Sequence, residues 1–198
     1  MRILTVVGTR PEAIKMAPVI KKLQGNAELQ VALCVTGHHR SMLDQILDFF
    51  ELNPDYDLSI MKIGQSLSDI TSAILDGMQS VYEDFNPDLM LVHGDTATTF
   101  AATLSAFYRN IAVGHVEAGL RTGNLRSPWP EEANRRLTSV LTDLHFAPTD
   151  GAKANLVSEG VGRENIYVTG NTVIDALFHV TNVIESDVDK VEMVLMII

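Results

Sequence analysis

Asp95, Glu117 and Glu131 are carboxylates that each stand where an apolar run gives way to a turn or a helix start. Carboxyl groups brought to one cavity from separate turns can take a proton and return it. Arg10 and Lys15 lie just beyond a Gly8-Thr9 turn. A glycine turn at a helix N-terminus favours an anion, and two cations reinforce that preference. His93 and His115 precede Asp95 and Glu117 by two residues and are of a type that can carry protons. The densest stretch is 113–136, Val-Gly-His-Val-Glu-Ala-Gly-Leu-Arg-Thr-Gly-Asn-Leu-Arg-Ser-Pro-Trp-Pro-Glu-Glu-Ala-Asn-Arg-Arg. There an apolar strand runs into Glu117, and a loop carrying Arg121, Arg126 and Trp129 leads to Glu131 and Glu132. Function collects on loops held by a rigid scaffold.

Each of these groups also has a plainer reading. Asp95 can cap the next helix. Glu131 can simply favour a helix dipole, with Arg135 as its i+4 partner. The Arg10–Lys15 turn can be a solvated helix start, and it is not a Walker loop. Buried histidines are more often hydrogen-bonded structural groups, and His145 and His179 read that way. Trp129, between two prolines, reads as a packed loop anchor. His38 and His39 form a pair without other ligands near them in sequence, so no metal is expected. The nearest approach to a dinucleotide fingerprint, Gly160-Val-Gly162, precedes a strand instead of following one, so no NAD or other cofactor is expected.

The elements that must position these groups are legible from periodicity. Apolar runs at 3–7, 31–35, 89–92, 111–116, 144–147 and 166–168 read as buried parallel strands, with 58–61 as a short extra one. A helix from Pro11 should reach Gln24, with Pro18 kinking it or ending its first segment. Leu43, Ile46, Leu47 and Phe50 fall on one helix face; Leu67, Ile70, Ile74, Met78, Val81 and Phe85 fall on another, capped by Ser66. Further helices are expected over 98–108, from 131 to about 141, from 150 to about 159, and from 173. Strands alternating with helices make an α/β fold, an open parallel sheet with helices on both faces. Right-handed crossovers put every strand-end turn on one edge, where such folds bind ligands.

The bulk numbers exclude several classes. The 198 residues, 46% of them hydrophobic, suffice for one sizeable core. A net charge of −10 argues against a generic nucleic-acid surface. The single cysteine, Cys34, lies in an apolar run and reads as packing. No apolar run approaches the roughly 20 residues of a membrane span, and the first residues lack a charged leader. A cytoplasmic protein without a membrane partner is expected. Residues 187–190 are a polar break, and 191–198 read as the first strand of something absent.

Five motifs together carry a resemblance: Gly-Thr-Arg-Pro-Glu-Ala-Ile-Lys-Met-Ala-Pro (8–18), His-Gly-Asp-Thr (93–96), Gly-His-Val-Glu-Ala-Gly-Leu-Arg-Thr (114–122), Ser-Pro-Trp-Pro-Glu-Glu-Ala-Asn-Arg (127–135) and Thr-Gly-Asn-Thr-Val-Ile-Asp-Ala (169–176). The chain resembles, from residue 1 to about 177, the bacterial non-hydrolysing UDP-N-acetylglucosamine 2-epimerases. The resemblance implies a Rossmann-like N-terminal domain of a glycosyltransferase-B-like two-domain fold. Residues 1–170 would form that catalytic domain, and 171–198 an interdomain helix and the stub of a C-terminal nucleotide-binding domain. It implies an isomerase, active in cell-surface polysaccharide synthesis, that interconverts UDP-GlcNAc and UDP-ManNAc. UDP is eliminated to a 2-acetamidoglucal and then added back. By the same resemblance Asp95, Glu117 and Glu131 are the acid–base carboxylates. Arg10 and Lys15, with Asp95 and Glu117, would meet the substrate, and His115 and Arg121 are second choices. No metal or cofactor is implied; the partners are a UDP-sugar, a second copy in a homodimer and a separate C-terminal polypeptide. His38 stands where relatives use glutamine toward a bound effector, which weighs against allosteric control by substrate. The alternatives are a catalytically idle sugar-nucleotide-binding or regulatory domain, and a hydrolysing epimerase or glycosyltransferase relative.

Overall fold

The expected alternation is present in the computed structural model, which describes residues 1–37 and 40–186. In chain order it runs β1 (Arg2–Val7), α1 (Arg10–Gln24), β2 (Gln30–Val35), α2 (Arg40–Phe49), β3 (Tyr56–Asp57), α3 (Leu67–Phe85), β4 (Leu89–His93), α4 (Ala97–Tyr108), β5 (Ala112–Val116), α5 (Glu131–Val140), β6 (Leu144–Ala147), α6 (Asp150–Ser158), β7 (Ile166–Val168) and α7 (Val173–Ser186). The His38–His39 pair, with the expectations about metal and effector attached to it, lies outside the described residues, as does the strand expected at 191–198.

Every strand pairing is parallel, in the order β3-β2-β1-β4-β5-β6-β7. The order reverses between β1 and β4, and the crevice beyond the carboxyl ends of strands at such a switch point is where open α/β sheets take ligands. Gly8 follows β1 and Gly94 follows β4, so two of the singled-out turns flank that point.

Side chains alternate across the sheet, and each face has its own core. Ile3, Val7, Leu33, Leu89 and Leu91 pack beneath α1, α2 and α7, meeting Met16, Ile20, Ile46, Phe50 and Val180. Leu4, Val6, Cys34, Met90 and Val92 face the other way, onto Ile74, Met78, Ala101 and Ala106 of α3 and α4. Cys34 is a buried packing residue, as its apolar run implied. A third cluster, Ala118, Ala147, Ala152, Leu156 and Ile166, ties the turn after β5 to α6 and β7. No helix among the described residues is long and apolar enough to cross a membrane.

One local expectation is narrowed and one is corrected. α1 runs through Pro18, so the proline does not end a first segment. Proline removes one amide donor, but Ala13, Met16, Ala17 and Ile20 are all buried on either side of it and hold the helix to the sheet. The short third strand lies at Tyr56–Asp57 and not at 58–61. Tyr56 and Asp57 are in register with Cys34 and Val35, and the Asp55 carboxylate accepts from the Leu33 amide at 2.8 Å. Ser59 then takes φ +47° and turns the chain off the ladder.

Candidate active site

The turn after β5 puts Glu117 at φ +66°, a left-handed conformation unusual for a residue with a Cβ. Gly119 follows at φ +87° and is pressed against the first turn of α6; an added Cβ would lie 2.3 Å from the Ala152 carbonyl oxygen. The strained turn is thereby fixed, and Glu117 projects from it toward α1. Lys15 Nζ donates to both Glu117 oxygens at 2.8 and 2.9 Å, and Asn171 Nδ2 donates to Oε1 at 2.9 Å. His93 Nε2 lies 3.6 Å from Oε2. Burial pushes the Glu117 carboxyl up, but the Lys15 hydrogen bond, the nearby His93, the Lys15 charge and the Asn171 amide outweigh it and hold the group below the ordinary carboxylate range. Glu117 is therefore an anion with one edge still partly open to solvent.

Asp95, in the turn after β4, has opposite surroundings. Its one ion-pair partner among the described residues is Arg135, at 2.5 Å, while Asn134 Nδ2 donates to the Asp95 carbonyl oxygen at 3.0 Å. Burial raises the Asp95 carboxyl. Arg135 opposes that, and the neighbouring charges of Glu131 and Glu117 add to it, so the net shift is upward. Glu131, Glu117 and Lys15 thus all act electrostatically on Asp95. An added Cβ on Gly94 would lie 4.0 Å from Glu117 Oε2, which fixes how close the two turns approach. Asp95 does not cap α4; Thr96 does, its hydroxyl accepting from the Thr99 amide.

Glu131 and Glu132 divide the work between them. Glu132 is fully buried and accepts from the amides of Thr122 and Gly123 at 3.1 and 3.2 Å, anchoring the exposed loop 122–129. Glu131 has no hydrogen bond or ion pair among the described residues and stays half-exposed, within electrostatic reach of Asp95. The i+4 partnership expected between Glu131 and Arg135 is absent, because Arg135 pairs with Asp95.

The other singled-out residues are placed around this edge. Arg10 opens α1, half-buried, but the amides of that turn do not await a ligand: Glu12 Oε2 accepts from the Gly8 and Thr9 amides at 2.8 and 2.7 Å. The Thr96 hydroxyl donates to Glu12 Oε1 at 2.6 Å, so this buried carboxylate staples the turn after β1 to the turn after β4. His115 is fully buried and its Nε2 meets the Gly94 carbonyl at 2.7 Å, supporting the Asp95 turn from below and not facing the two carboxylates. Burial pushes its imidazolium down to about 3, so the ring is neutral. Arg121 is spent on Glu159, at 2.9 and 2.8 Å, and on the Ser139 hydroxyl, which commits it to packing α6 against α5. Trp129 is 64% exposed and is no packed anchor, since Glu132 and the Thr122 hydroxyl already fix its loop. His145 is buried, and His179 stacks on Phe50 with centroids 5.1 Å apart. Among the described residues no group of His, Cys, Asp and Glu is arranged to hold a metal.

Sequence reasoning placed Glu12, Glu132 and Arg135 near this edge without their partners, and gave Asn171 no role there. The signal available was that all four fall inside the quoted motifs; which atoms they meet depends on strand order.

Residues 21–197 match the sequence model of a family described as UDP-N-acetylglucosamine 2-epimerase. A relative of that name from Neisseria meningitidis serogroup A is 63% identical over 177 residues, 89% of this chain and 48% of its own length. A crystal structure of UDP-GlcNAc 2-epimerase from Neisseria meningitidis, bound to UDP-GlcNAc, superposes with a TM-score of 0.94 at 58% identity, covering 97% of this chain and 52% of that one. A lipopolysaccharide outer core galactosyltransferase shares the fold alone, at TM-score 0.59 and 12% identity over 86% of this chain and 46% of that one. The chain spans about half the length of the curated relatives it matches.

Proposed function

The chain belongs to the UDP-N-acetylglucosamine 2-epimerase family, and from that premise we propose that it carries the acid–base half of an enzyme interconverting UDP-GlcNAc and UDP-ManNAc. The observation that carries the reading is the pair of carboxylates beside the switch point whose surroundings push them apart: Glu117 held anionic, Asp95 raised. Two groups tuned in opposite directions are what an acid and a base require.

The chemistry accounts for the rest of the crevice. The proton on C2 is not adjacent to a carbonyl, so it leaves as the C1–O bond to the diphosphate breaks. The electron pair of the C–H bond becomes the C1=C2 double bond of a glycal, and UDP departs with the oxygen. Re-addition forms the C1–O bond again and delivers a proton to the opposite face of C2. One side chain cannot serve both faces, so two are needed. In this reading Glu117 and Asp95 serve opposite faces of C2, and Glu131, without a hydrogen bond or ion pair among the described residues, completes the set. Arg10 and Lys15 provide the positive charge that a leaving diphosphate demands.

Residues 1–170 form the catalytic domain of this reading, and 171–198 lead toward a second half that would clamp the nucleotide. Phe107, Tyr108, Leu137 and Val140, exposed along α4 and α5, support self-association as a homodimer. A cytoplasmic location belongs to the same reading.

Exchange of the C2 hydrogen of UDP-GlcNAc in heavy water tests the proposal. The chain alone is expected to give little or no exchange. Joined to the second half of a close relative, it should give exchange and UDP-ManNAc together. No exchange from the joined protein sinks the reading, and rapid exchange by the chain alone shows that the second half is not needed.

A further inference from the structure

His93 closes β4, in register with Val116 of β5, so its ring lies beside the next residue along, Glu117. Leu89 and Leu91, on the same strand face, enter the core beneath α1, and the His93 ring is only 3% exposed. Neither ring nitrogen has a hydrogen-bond partner among the described residues. A buried imidazole left unmatched costs folding free energy and calls for a reason. Its Nε2 is 3.6 Å from Glu117 Oε2, too long for a hydrogen bond yet closed by a small rotation of either side chain.

Lys15 explains why that gap exists. Its ammonium holds both Glu117 oxygens, yet it is also the cation that the proposed reaction asks to meet the leaving diphosphate. It cannot serve both anions fully at once. We propose that His93 is a positioning residue for Glu117, whose Nε2–H takes over Oε2 as Lys15 turns to the substrate's anionic leaving group. The inference rests on the acid–base reading given above.

A neutral donor suits this task. It fixes the orientation of the carboxylate that Asn171 holds from the other side, without the second positive charge that would weaken Glu117 as a base. Burial pushes the His93 imidazolium down to about 4, Glu117 opposing and Lys15 assisting, so the ring stays neutral near pH 7. The groups that bear on the pair are Lys15 from α1, Asn171 ahead of α7, and Asp95 from the turn after β4.

The test has two arms. In the chain labelled with 15N-histidine, long-range 1H–15N spectra should show His93 as the Nε2–H tautomer. Lys15→Met, which imitates the withdrawn ammonium, should move that proton downfield as the bond to Glu117 forms. An Nδ1–H tautomer, or a signal indifferent to Lys15→Met, overturns the proposal. In the joined protein, His93→Phe should lower kcat about tenfold to a hundredfold, as a small misplacement of a reacting group does, with KM nearly unchanged. The acidic limb of the kcat profile should move to higher pH, since Glu117 loses a donor. His93→Gln, whose amide donates from a similar place, should restore most of the loss. An unchanged kcat in His93→Phe, or equal losses in both variants, also overturns it. A joined protein without turnover would count against the epimerase reading, and the spectra of the unmutated chain would still decide His93.

Discussion

Glu117 and Asp95 end two adjacent strands of one sheet, yet their turns are built on different plans. Glu117 sits on a strained residue in a turn pinned by Gly119, and three side chains from α1, β4 and the approach to α7 converge on it. Asp95 sits in a turn held through its backbone, with a single arginine against its carboxylate and two carboxylates nearby. The same residue class at the same kind of strand end therefore takes opposite ionisation tendencies. Donor count and the sign of neighbouring charge decide the outcome, since burial acts upward on both.

The largest expected effects break the pair directly. In the joined protein, Glu117→Gln should cut kcat by about 10²–10⁴-fold, the range that general acid–base groups supply, with the circular dichroism of the parent retained. Asp95→Asn should fall in the same range, and a near-normal rate in either removes that residue from the acid–base set.

The two turns should also differ in stability. Gly119→Ala must accept a positive φ and a clash with the Ala152 carbonyl, so urea unfolding should show a loss of about 2–4 kcal/mol. Gly94→Ala, at φ +70° but with only an ordinary 4.0 Å contact to Glu117 Oε2 for the added Cβ, should lose only about 1 kcal/mol. Equal losses would mean that the two turns are equally constrained.

The smallest effect is the most specific. Glu117, with its folded pKa lowered, contributes stability above the ordinary carboxylate value, and that contribution fades as pH falls through the folded pKa. Asp95, with its folded pKa raised, contributes below the ordinary value and loses that contribution as pH rises through the folded pKa. Across the acidic range, Glu117→Gln should flatten the loss of Tm on acidification, and Asp95→Asn should steepen it. Parallel Tm profiles would erase the contrast.

Much of the scaffold was legible beforehand because buried parallel strands and amphipathic helices write their periods into the chain. Ser66 was read correctly as the cap of α3, and 144–147 and 166–168 as strands. The third strand was misplaced because its partner among the described residues is β2, across a loop. Among the site residues, Arg135 misled most. Its spacing from Glu131 suits a helical pair, but Asp95 lies closer in space.

What the sequence determined by itself was the alternation of elements, the edge on which the acidic turns gather, and the family to which the motifs point. What only the tertiary structure decided was the partner of each charge: Lys15 and Asn171 on Glu117, Arg135 on Asp95, Glu132 on the loop amides, Glu12 across two turns. Periodicity is a local property that repeats along the chain. Ion pairing falls off with distance through space, and here it joins residues as far apart in sequence as Lys15 and Glu117, which only the order of the strands brings together.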